Sequence, residues 1–244
     1  RRKGTHMERY LKQFATSKWF DLVGVVLVVG IAISAGYLNS RLEKFVDWGP
    51  WTALVPFGVI SVINVGISML STRFTGQLNK WGNYLGIVNT VLSGVIDFIL
   101  GNKAAIITYP VTFIIYTFAI KKWKASHDGI PNTMSVSQKR LVGVCVTVLA
   151  FIFSIIANFI GFNGHINFLA ILTTIVFALS LIANIFNALK LNTQWPFWMI
   201  YNIIQLIKAL TQGNFANVGK YIFYILNAIG ALLFWNDKKE EKLF

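Results

Sequence analysis

Long apolar stretches, separated by short polar or basic segments, dominate the hydropathy pattern of the chain. Eight of these stretches approach the roughly 17–25 residues that a helix needs to cross a bilayer. They occupy residues 19–37, 51–70, 84–100, 104–120, 141–160, 166–189, 194–210 and 216–235. The pattern predicts an all-α integral membrane protein with eight transmembrane helices.

The composition agrees with this prediction and narrows the class of partner. Of the 244 residues, 55% are hydrophobic and 13% are charged, and the mean hydropathy is +0.61. Such a chain is too apolar for an ordinary soluble domain. The net charge of +13 could indicate nucleic-acid binding, but the basic residues are spread through the loops between apolar stretches. We therefore expect them to contact the anionic head groups of a lipid bilayer, and we expect no nucleic-acid partner.

The distribution of lysine and arginine predicts the orientation in the membrane. With eight spans both termini lie on one side, and most basic residues fall on that side. They are Arg9, Lys12, Lys18, Arg73, Lys80, Lys121, Lys122, Lys124, Lys139, Arg140, Lys190, Lys238, Lys239 and Lys242. The opposite loops hold only Arg41, Lys44 and Lys103. Because cytoplasmic loops are enriched in basic residues, both termini are predicted to be cytoplasmic.

Residues at the ends of the predicted spans suggest contact with the membrane surfaces. Lys208 and Lys220 lie close enough to helix ends for their ammonium groups to snorkel to the head groups. Six tryptophans also fall at span ends, where an amphipathic ring is favoured. They are Trp19, Trp48, Trp51, Trp81, Trp123 and Trp235. We expect these six side chains to form the aromatic belts of the protein.

An internal repeat predicts how the helices are arranged. Shifting the chain by 112 residues aligns 101–123 with 213–235 and matches six positions, among them Tyr109 with Tyr221 and Trp123 with Trp235. The repeat predicts a 3+1+3 core of two three-helix bundles, 51–120 and 166–235, joined by a cytoplasmic loop and linker helix in 121–165. An odd-numbered unit followed by one linker helix leaves both bundles parallel, with a site between them.

The segments outside the repeat have separate interpretations. Residues 1–6 resemble the remnant of a purification tag and are left out of the fold prediction. The N-terminal segment 7–50 carries one extra transmembrane helix, which we expect to be peripheral. Residues 236–244 are predicted to form a cytoplasmic tail.

The chain offers little material for catalysis. None of its three histidines has a partner at metal-ligand spacing, and no glycine-rich phosphate loop with a lysine is present. We therefore expect no catalytic residue, no metal site and no cofactor. Asp97 is the only acid well inside a predicted span, and two interpretations of it stay open: a hydrated interfacial acid, or a gate or solute contact.

The segment QWPFWMIYNIIQ (194–205) is the sharpest local feature. Its residues 195, 198, 202 and 205 form one stripe along a helix. An aromatic clamp with amides deeper in the membrane suits a flat heteroaromatic ring with a carboxamide or hydroxyls. The alternative is an interfacial tryptophan pair with amides that only join helices. The candidate substrate-binding residues are Gln194, Trp195, Trp198, Asn202, Gln205, Asn89, Tyr221, Tyr224 and Asn227.

The pattern Trp-x-x-Trp-x-x-x-Asn, formed by Trp195, Trp198 and Asn202 at the start of the penultimate helix, resembles the mark of the PnuC family of bacterial vitamin transporters. The resemblance covers 51–235 and the 3+1+3 arrangement. It implies a fold similar to that of full-length SWEET sugar transporters. The chain departs from the SWEET pattern in one respect: Pro56 and Pro110 in the first bundle have no proline at the corresponding positions of the second bundle. It further implies a uniporter for nicotinamide riboside in the bacterial inner membrane, with trapping of the solute by a kinase inside the cell.

Other functions remain compatible with the sequence. An aromatic clamp could also stack thiamine, riboflavin or a deoxynucleoside. A structural membrane protein or an intramembrane enzyme fits less well, since the former needs no cavity and the latter needs an acid, base or metal set. Whether copies of the chain associate into a homo-oligomer stays open.

Overall fold

The structure, a computed structural model, describes residues 6–127 and 129–241, with side chains through residue 239. Within these ranges all regular structure is helical. The α-helices are α1 (His6–Ala15), α2 (Lys18–Ser34), α3 (Phe57–Gly76), α4 (Trp81–Ile99), α5 (Ala105–Lys124), α6 (Val136–Gly161), α7 (Phe168–Ala188), α8 (Gln194–Gln212) and α9 (Phe215–Glu241). Three short 3-10 helices, Tyr37–Asn39, Leu42–Lys44 and Pro50–Leu54, connect α2 to α3. Residues 1–5 of the predicted tag remnant lie outside the described ranges.

The eight predicted spans correspond to α2 through α9, and their ends shift by up to six residues, both at the start and end of α3 and at the end of α9. The predicted span 51–70 begins in the 3-10 helix Pro50–Leu54 and is α-helical only from Phe57. Pro56 lacks an amide hydrogen and disfavours helical geometry at the residue before it, and Val55 is accordingly extended. At the other end of the chain, residues 236–241 of the predicted tail continue α9.

Six of the helices are long and apolar enough to cross a membrane: α3, α4, α5, α6, α7 and α9. The pair α1 and α2, bent by 67°, would count as a seventh span if taken together. Helix α8 has the same length as α4, 19 residues, but its amides and lysine lower its mean hydropathy below that of the six. The chain is therefore a helical membrane protein with several spans.

Six helices close into a ring. Helix α3 packs on α4, α4 on α5, α5 on α7, α7 on α8, α8 on α9, and α9 returns to α3. Helix α6 lies outside the ring against α5 and α7, and α2 lies outside it against α9 and α3. The helix predicted to be peripheral, α2, is thus on the periphery, and the interior of the ring is left for polar side chains.

Two glycines allow helices to approach closely. A Cβ atom at Gly82 of α4 would lie 2.7 Å from the backbone nitrogen of Thr75 in α3. A Cβ atom at Gly219 of α9 would lie 2.7 Å from the carbonyl oxygen of Leu27 in α2. Both distances are well inside van der Waals contact with backbone atoms that cannot rotate away, so a side chain at either position would push the two helices apart.

The tryptophans at span ends divide into two groups. Four of them are half or more exposed, as a lipid-facing belt requires: Trp19, Trp48, Trp51 and Trp81. The belt prediction is wrong for Trp123 and Trp235, which are 1% and 0% exposed. Trp123 of α5 donates its Nε1 hydrogen to the carbonyl oxygen of Asn187 in α7, at 2.7 Å. Trp235 of α9 donates to the carbonyl oxygen of Gly76 in α3, at 3.0 Å, so each ring joins the last helix of one repeat to the first helix of the other.

Arg73, which the sequence analysis counted among the cytoplasmic loop charges, is buried near the end of α3. Its Nε lies 2.6 Å from a carboxylate oxygen of Asp21 in α2. Its Nη1 donates to the carbonyl oxygen of Ala15 in α1 and, at 3.1 Å, to the amide oxygen of Asn227 in α9. One guanidinium group therefore fastens the two N-terminal helices to the ring.

Candidate functional site

A cavity of about 140 Å³ lies inside the ring, and side chains from α3 to α9 line it. This volume is roughly ten times what one water molecule needs when measured with a water-sized probe. Most of the lining side chains carry hydroxyl, amide or charged groups. Since lipid offers polar groups no hydrogen-bond partner, their concentration around one interior space is typical of a solute site or a hydrated path.

All nine predicted site residues lie on the wall of this cavity. They are Asn89, Gln194, Trp195, Trp198, Asn202, Gln205, Tyr221, Tyr224 and Asn227. The helical stripe read from the sequence therefore faces the interior of the ring. That these residues bind the solute stays a prediction.

One face of α8 runs along the cavity. Gln194, Trp198, Tyr201, Gln205 and Lys208 succeed one another at three- or four-residue steps and all line it. Neighbours on this face hydrogen-bond to each other: Trp198 Nε1 donates to Gln194 Oε1 at 3.0 Å, and Gln205 Nε2 donates to Tyr201 Oη at 2.8 Å. The rings and amides are thereby held in fixed orientations before any solute arrives.

Four aromatic rings form a continuous wall, and three of them were predicted as site residues from the sequence. Trp198 packs edge-on against Tyr201, with ring centroids 5.0 Å apart, and Tyr201 against Tyr221 at 6.2 Å. Tyr221 packs against Tyr224 at 6.0 Å. The fourth ring, that of Tyr201, was not predicted, although Tyr201 stands three residues after Trp198 on the same helical face. We call these four rings the aromatic wall.

Trp195 does not pair with Trp198 as an aromatic clamp. It is 2% exposed and packs edge-on against Trp235, with ring centroids 5.7 Å apart. Trp235 in turn lies 6.0 Å from Trp123. Trp195 thus belongs to a cluster of three indoles that closes one end of the cavity, while Trp198 belongs to the aromatic wall.

Several side chains on the cavity wall have polar atoms that no described protein group pairs. They are the amide oxygens of Asn102, Asn158, Asn184 and Asn187, the indole nitrogen of Trp195 and the amide nitrogen of Asn227. A buried donor or acceptor without a partner costs about 1–3 kcal/mol. A solute with its own carboxamide and hydroxyls could recover part of that free energy by pairing with these atoms.

The end of the cavity opposite the three indoles holds a buried ion pair. Asp97 of α4 and Lys208 of α8 are 7% and 3% exposed, and a carboxylate oxygen lies 2.7 Å from the ammonium nitrogen. The same oxygen accepts from Asn102 at 2.7 Å and from Tyr109 at 2.9 Å. The other carboxylate oxygen accepts from Gln212 at 2.8 Å.

This geometry corrects two expectations. The interpretation of Asp97 as a hydrated interfacial acid is wrong, because four protein donors surround its carboxylate. Snorkelling of Lys208 is also wrong, because its ammonium group points into the ring. The sequence did contain a signal: Lys208 and Gln212 continue the face of α8 that begins at Gln194.

Lys220 of α9 is the third ionisable side chain at this end of the cavity. It is 4% exposed, so the expectation that it snorkels is wrong as well. Its Nζ lies 4.5 Å from the ring centroid of Tyr221 and 5.7 Å from that of Tyr224. The side-chain nitrogen therefore lies against the Tyr221 and Tyr224 rings of the aromatic wall, and Lys220 lines the cavity together with both tyrosines.

Comparison with known proteins agrees with this picture. The family model described as nicotinamide mononucleotide transporter matches residues 58–237. The fold is similar to that in the crystal structure of the vitamin B3 transporter PnuC, with a TM-score of 0.68, 12% sequence identity, and coverage of 98% of this chain and 99% of that chain. No curated protein sequence matches the chain.

The family match extends over most of the chain and includes every helix of the ring and the residues of the cavity. It confirms the resemblance to the PnuC family, and it confirms the expectation of a transporter rather than an enzyme. The chain belongs to the nicotinamide mononucleotide transporter family.

Proposed function

We propose that the protein is a uniporter that carries nicotinamide riboside across the bacterial inner membrane by facilitated diffusion, with metabolic trapping of the solute by a kinase inside the cell. The observation that carries this proposal is the cavity inside the ring, where an aromatic wall stands beside unpaired amide groups. A structural membrane protein would have no use for such a cavity.

The chemistry of nicotinamide riboside matches two kinds of group on the cavity wall, aromatic rings and amide oxygens. Its flat pyridinium ring carries a positive charge, and the faces of Trp198, Tyr201 and Tyr221 attract such a ring. Its carboxamide and ribose hydroxyls can pair with amide oxygens such as those of Asn184 and Asn187. Thiamine, riboflavin or a deoxynucleoside could also stack on the aromatic wall, but none of them has the same combination of a carboxamide and ribose hydroxyls to pair with these amide oxygens.

We also propose the 3+1+3 arrangement for the membrane, with α3–α5 and α7–α9 as parallel bundles, α6 as the linker helix and α2 as the eighth span. In the ring, the first helix of each bundle contacts the last helix of the other: α3 contacts α9, and α7 contacts α5. The hydrogen bonds of Trp123 and Trp235 connect the same two pairs of helices, α5 to α7 and α9 to α3. Both features support a two-fold relation along the membrane normal.

The proposed topology places both termini in the cytoplasm, on the side where the loops are basic. A cysteine introduced at Asn236, on the exposed part of α9, should react in intact cells only with a membrane-permeant thiol reagent. Cys145 would first be replaced by Ser to leave one reactive thiol. As a control, a cysteine at Lys103, in the opposite loop, should react with an impermeant reagent. Labelling of the Asn236 position by the impermeant reagent would contradict the topology.

Uptake into proteoliposomes tests the proposed solute directly. Purified protein should carry labelled nicotinamide riboside into vesicles, at a rate above that of empty vesicles. Labelled thiamine, riboflavin and a deoxynucleoside serve as comparison solutes under the same conditions. Uptake of one of these, with none of nicotinamide riboside, would replace the proposed solute; uptake of none would contradict transport of this class.

Replacing Trp198 with Ala should weaken solute binding by about 1–3 kcal/mol, the range for loss of one aromatic stacking partner. The measurement is equilibrium binding to protein in detergent micelles. Trp81→Ala is a matched control, because Trp81 lies on the outer surface of α4 and is 56% exposed. Equal affinities of the Trp198 and Trp81 variants would show that Trp198 does not contact the solute.

A further inference from the structure

Helix α1 turns its apolar face away from the rest of the protein. Met7, Tyr10, Leu11 and Phe14 follow one another at steps of three or four residues, which places them on one side of the helix. All four side chains are exposed. The side of α1 that packs on α9 instead carries Lys12, which pairs with Asp237. No described part of the chain covers the apolar face of α1.

The position of α1 identifies the bilayer as the partner of this face. Helix α1 is bent by 67° from α2, so it does not continue the proposed span of α2 and runs closer to the membrane plane. Trp19, in the first turn of α2, is exposed and belongs to the lipid-facing belt, which lies at the level of the head groups. Because α1 ends only four residues earlier, at Ala15, its apolar face continues the lipid-contact surface of α2 at that level.

The charges beside the apolar face indicate the kind of lipid. Arg9 lies on the opposite side of α1 and is exposed, and Lys18 at the start of α2 is exposed as well. A helix with a basic polar side and an apolar side that contains Leu and Phe is typical of helices that lie in the membrane interface. Each basic residue near such a surface is attracted by acidic head groups. The lipid that suits α1 best is therefore an anionic phospholipid.

Arg73 connects α1 to the cavity. Its Nη1 donates to the carbonyl oxygen of Ala15, the last residue of α1, and to the amide oxygen of Asn227. Its Nε pairs with Asp21 of α2. Since a guanidinium group only donates, Asn227 must turn its amide oxygen towards Arg73. The amide nitrogen of Asn227 has no partner among the described protein groups, and Asn227 lines the cavity, so this donor remains available to a solute.

We propose that α1 is a membrane-surface helix that lies on anionic phospholipid, and that Arg73 is a positioning residue through which this contact orients Asn227 in the solute site. While α1 lies on lipid, the Ala15 carbonyl group and Asp21 hold the guanidinium group, which in turn holds the amide of Asn227. A helix that leaves the surface removes the Ala15 acceptor and lets that amide turn. Because coupling between two sites is reciprocal, lipid that binds α1 raises the affinity for the solute. The proposal goes beyond the proposed function and uses it only in taking Asn227 as a solute contact.

Spin labels on single cysteines locate α1 relative to the bilayer. In a Cys145→Ser background, a label is attached after Tyr10→Cys, Leu11→Cys or Gln13→Cys, and the protein is placed in vesicles of phosphatidylcholine and phosphatidylglycerol. Labels at Tyr10 and Leu11, on the apolar face, should be relaxed mainly by oxygen, which dissolves preferentially in lipid. The label at Gln13, on the polar side, should be relaxed mainly by a water-soluble nickel chelate. Equal access of the chelate to all three positions would refute the membrane-surface helix.

The affinity for nicotinamide riboside in two kinds of nanodisc tests the coupling. Wild-type protein should bind about 3- to 10-fold more tightly with phosphatidylglycerol present than in phosphatidylcholine alone, the scale of one or two basic residues at an anionic surface. The double variant Tyr10→Gln, Leu11→Gln should lose part of this ratio. Leu54→Gln is the matched control, because it removes an exposed apolar side chain near the opposite membrane surface, and it should keep the full ratio.

The comparison between variants also removes a second effect of the lipid. An anionic surface concentrates a cationic solute near every variant alike, so only the part of the ratio that is lost with the apolar face of α1 reports the coupling. The same ratio for the wild type and the α1 variant would refute the coupling. If the wild type binds no nicotinamide riboside in either lipid, the proposed solute is wrong, whereas the spin labels still support or refute the membrane-surface helix.

Arg73→Lys separates positioning from a structural role. Lysine keeps a positive charge beside Asp21, but it lacks the fork of donors that reaches Ala15 and Asn227 together. The folded variant should bind the solute more weakly and should show the reduced lipid ratio of the α1 variant. In an Asn227→Ala background, Arg73→Lys should not weaken binding further, because both changes remove the same oriented donor. Additive losses would refute the positioning role, and the α1 variant decides if Arg73→Lys does not fold.

Discussion

Replacing Asp97 with Asn should destabilise the folded protein by about 3–5 kcal/mol, the range measured when one partner of a buried ion pair is removed. The Asn side chain has one acceptor oxygen where the Asp97 carboxylate has two. Those two oxygens accept hydrogen bonds from Lys208, Asn102, Tyr109 and Gln212. The amide NH2 group of the Asn is itself a donor, so it could not accept the hydrogen bonds that the replaced carboxylate oxygen accepts. Lys208 would then remain in the interior without a counter-charge, which is the main cost.

Thermal unfolding in detergent, followed by loss of the monodisperse peak in gel filtration, measures this effect. The double variant Asp97→Asn, Lys208→Met should recover part of the loss, because it removes the uncompensated ammonium group together with the carboxylate. Asp237→Asn is the matched control. It breaks the ion pair with Lys12 at the protein surface, where the carboxylate side chain is 49% exposed and such pairs contribute about 0–1 kcal/mol. Equal effects of the Asp97 and Asp237 substitutions would contradict a structural role for the buried pair.

Much of the fold follows from the sequence because lipid imposes a simple rule on it. A helix that crosses a bilayer must be long and apolar, and the apolar stretches of the sequence accordingly locate α2 to α9 to within six residues at each end. Amides inside such helices are expensive to expose to lipid. The prediction that Asn89, Asn202 and Asn227 face one interior space follows from that cost, and all three line the cavity.

Residues near helix ends could not be placed in the same way. A lysine or tryptophan there can face the head groups, or it can face the interior where a partner is present, and hydropathy does not distinguish the two. Lys208, Lys220 and Trp235 were expected at the membrane surface for this reason, and all three are buried. The position of Lys208 around the helix axis could have predicted its burial, because Lys208 lies on the same face of α8 as Gln194, and this face lines the cavity. For Trp235, only the neighbouring backbone of Gly76 reveals the reason, and that contact spans most of the chain.

Uptake of nicotinamide riboside by proteoliposomes should stop at equal concentrations on the two sides and should not respond to imposed proton or sodium gradients. Because the solute is a cation, the membrane potential must be held at zero, for example with equal potassium and an ionophore on both sides; 100 mV would otherwise contribute about 2.3 kcal/mol per charge. Under these conditions a uniporter lowers the barrier to crossing without shifting the equilibrium. Accumulation in the cell then depends on chemistry after entry.

The structure changes the reason for this prediction. From the sequence we expected Lys208 and Lys220 to reach the head groups and left the role of Asp97 open, yet all three side chains are buried and line the cavity inside the ring. A coupling carboxylate must exchange its proton with one side of the membrane in each state of the transport cycle. Asp97 is held by an ammonium group and three further donors, and protonation would break its pair with Lys208, so it is poorly suited to carry a proton. Concentrative uptake of nicotinamide riboside driven by an imposed pH gradient, and lost in Asp97→Asn protein that still exchanges the solute, would identify Asp97 as a proton carrier and overturn the uniport mechanism.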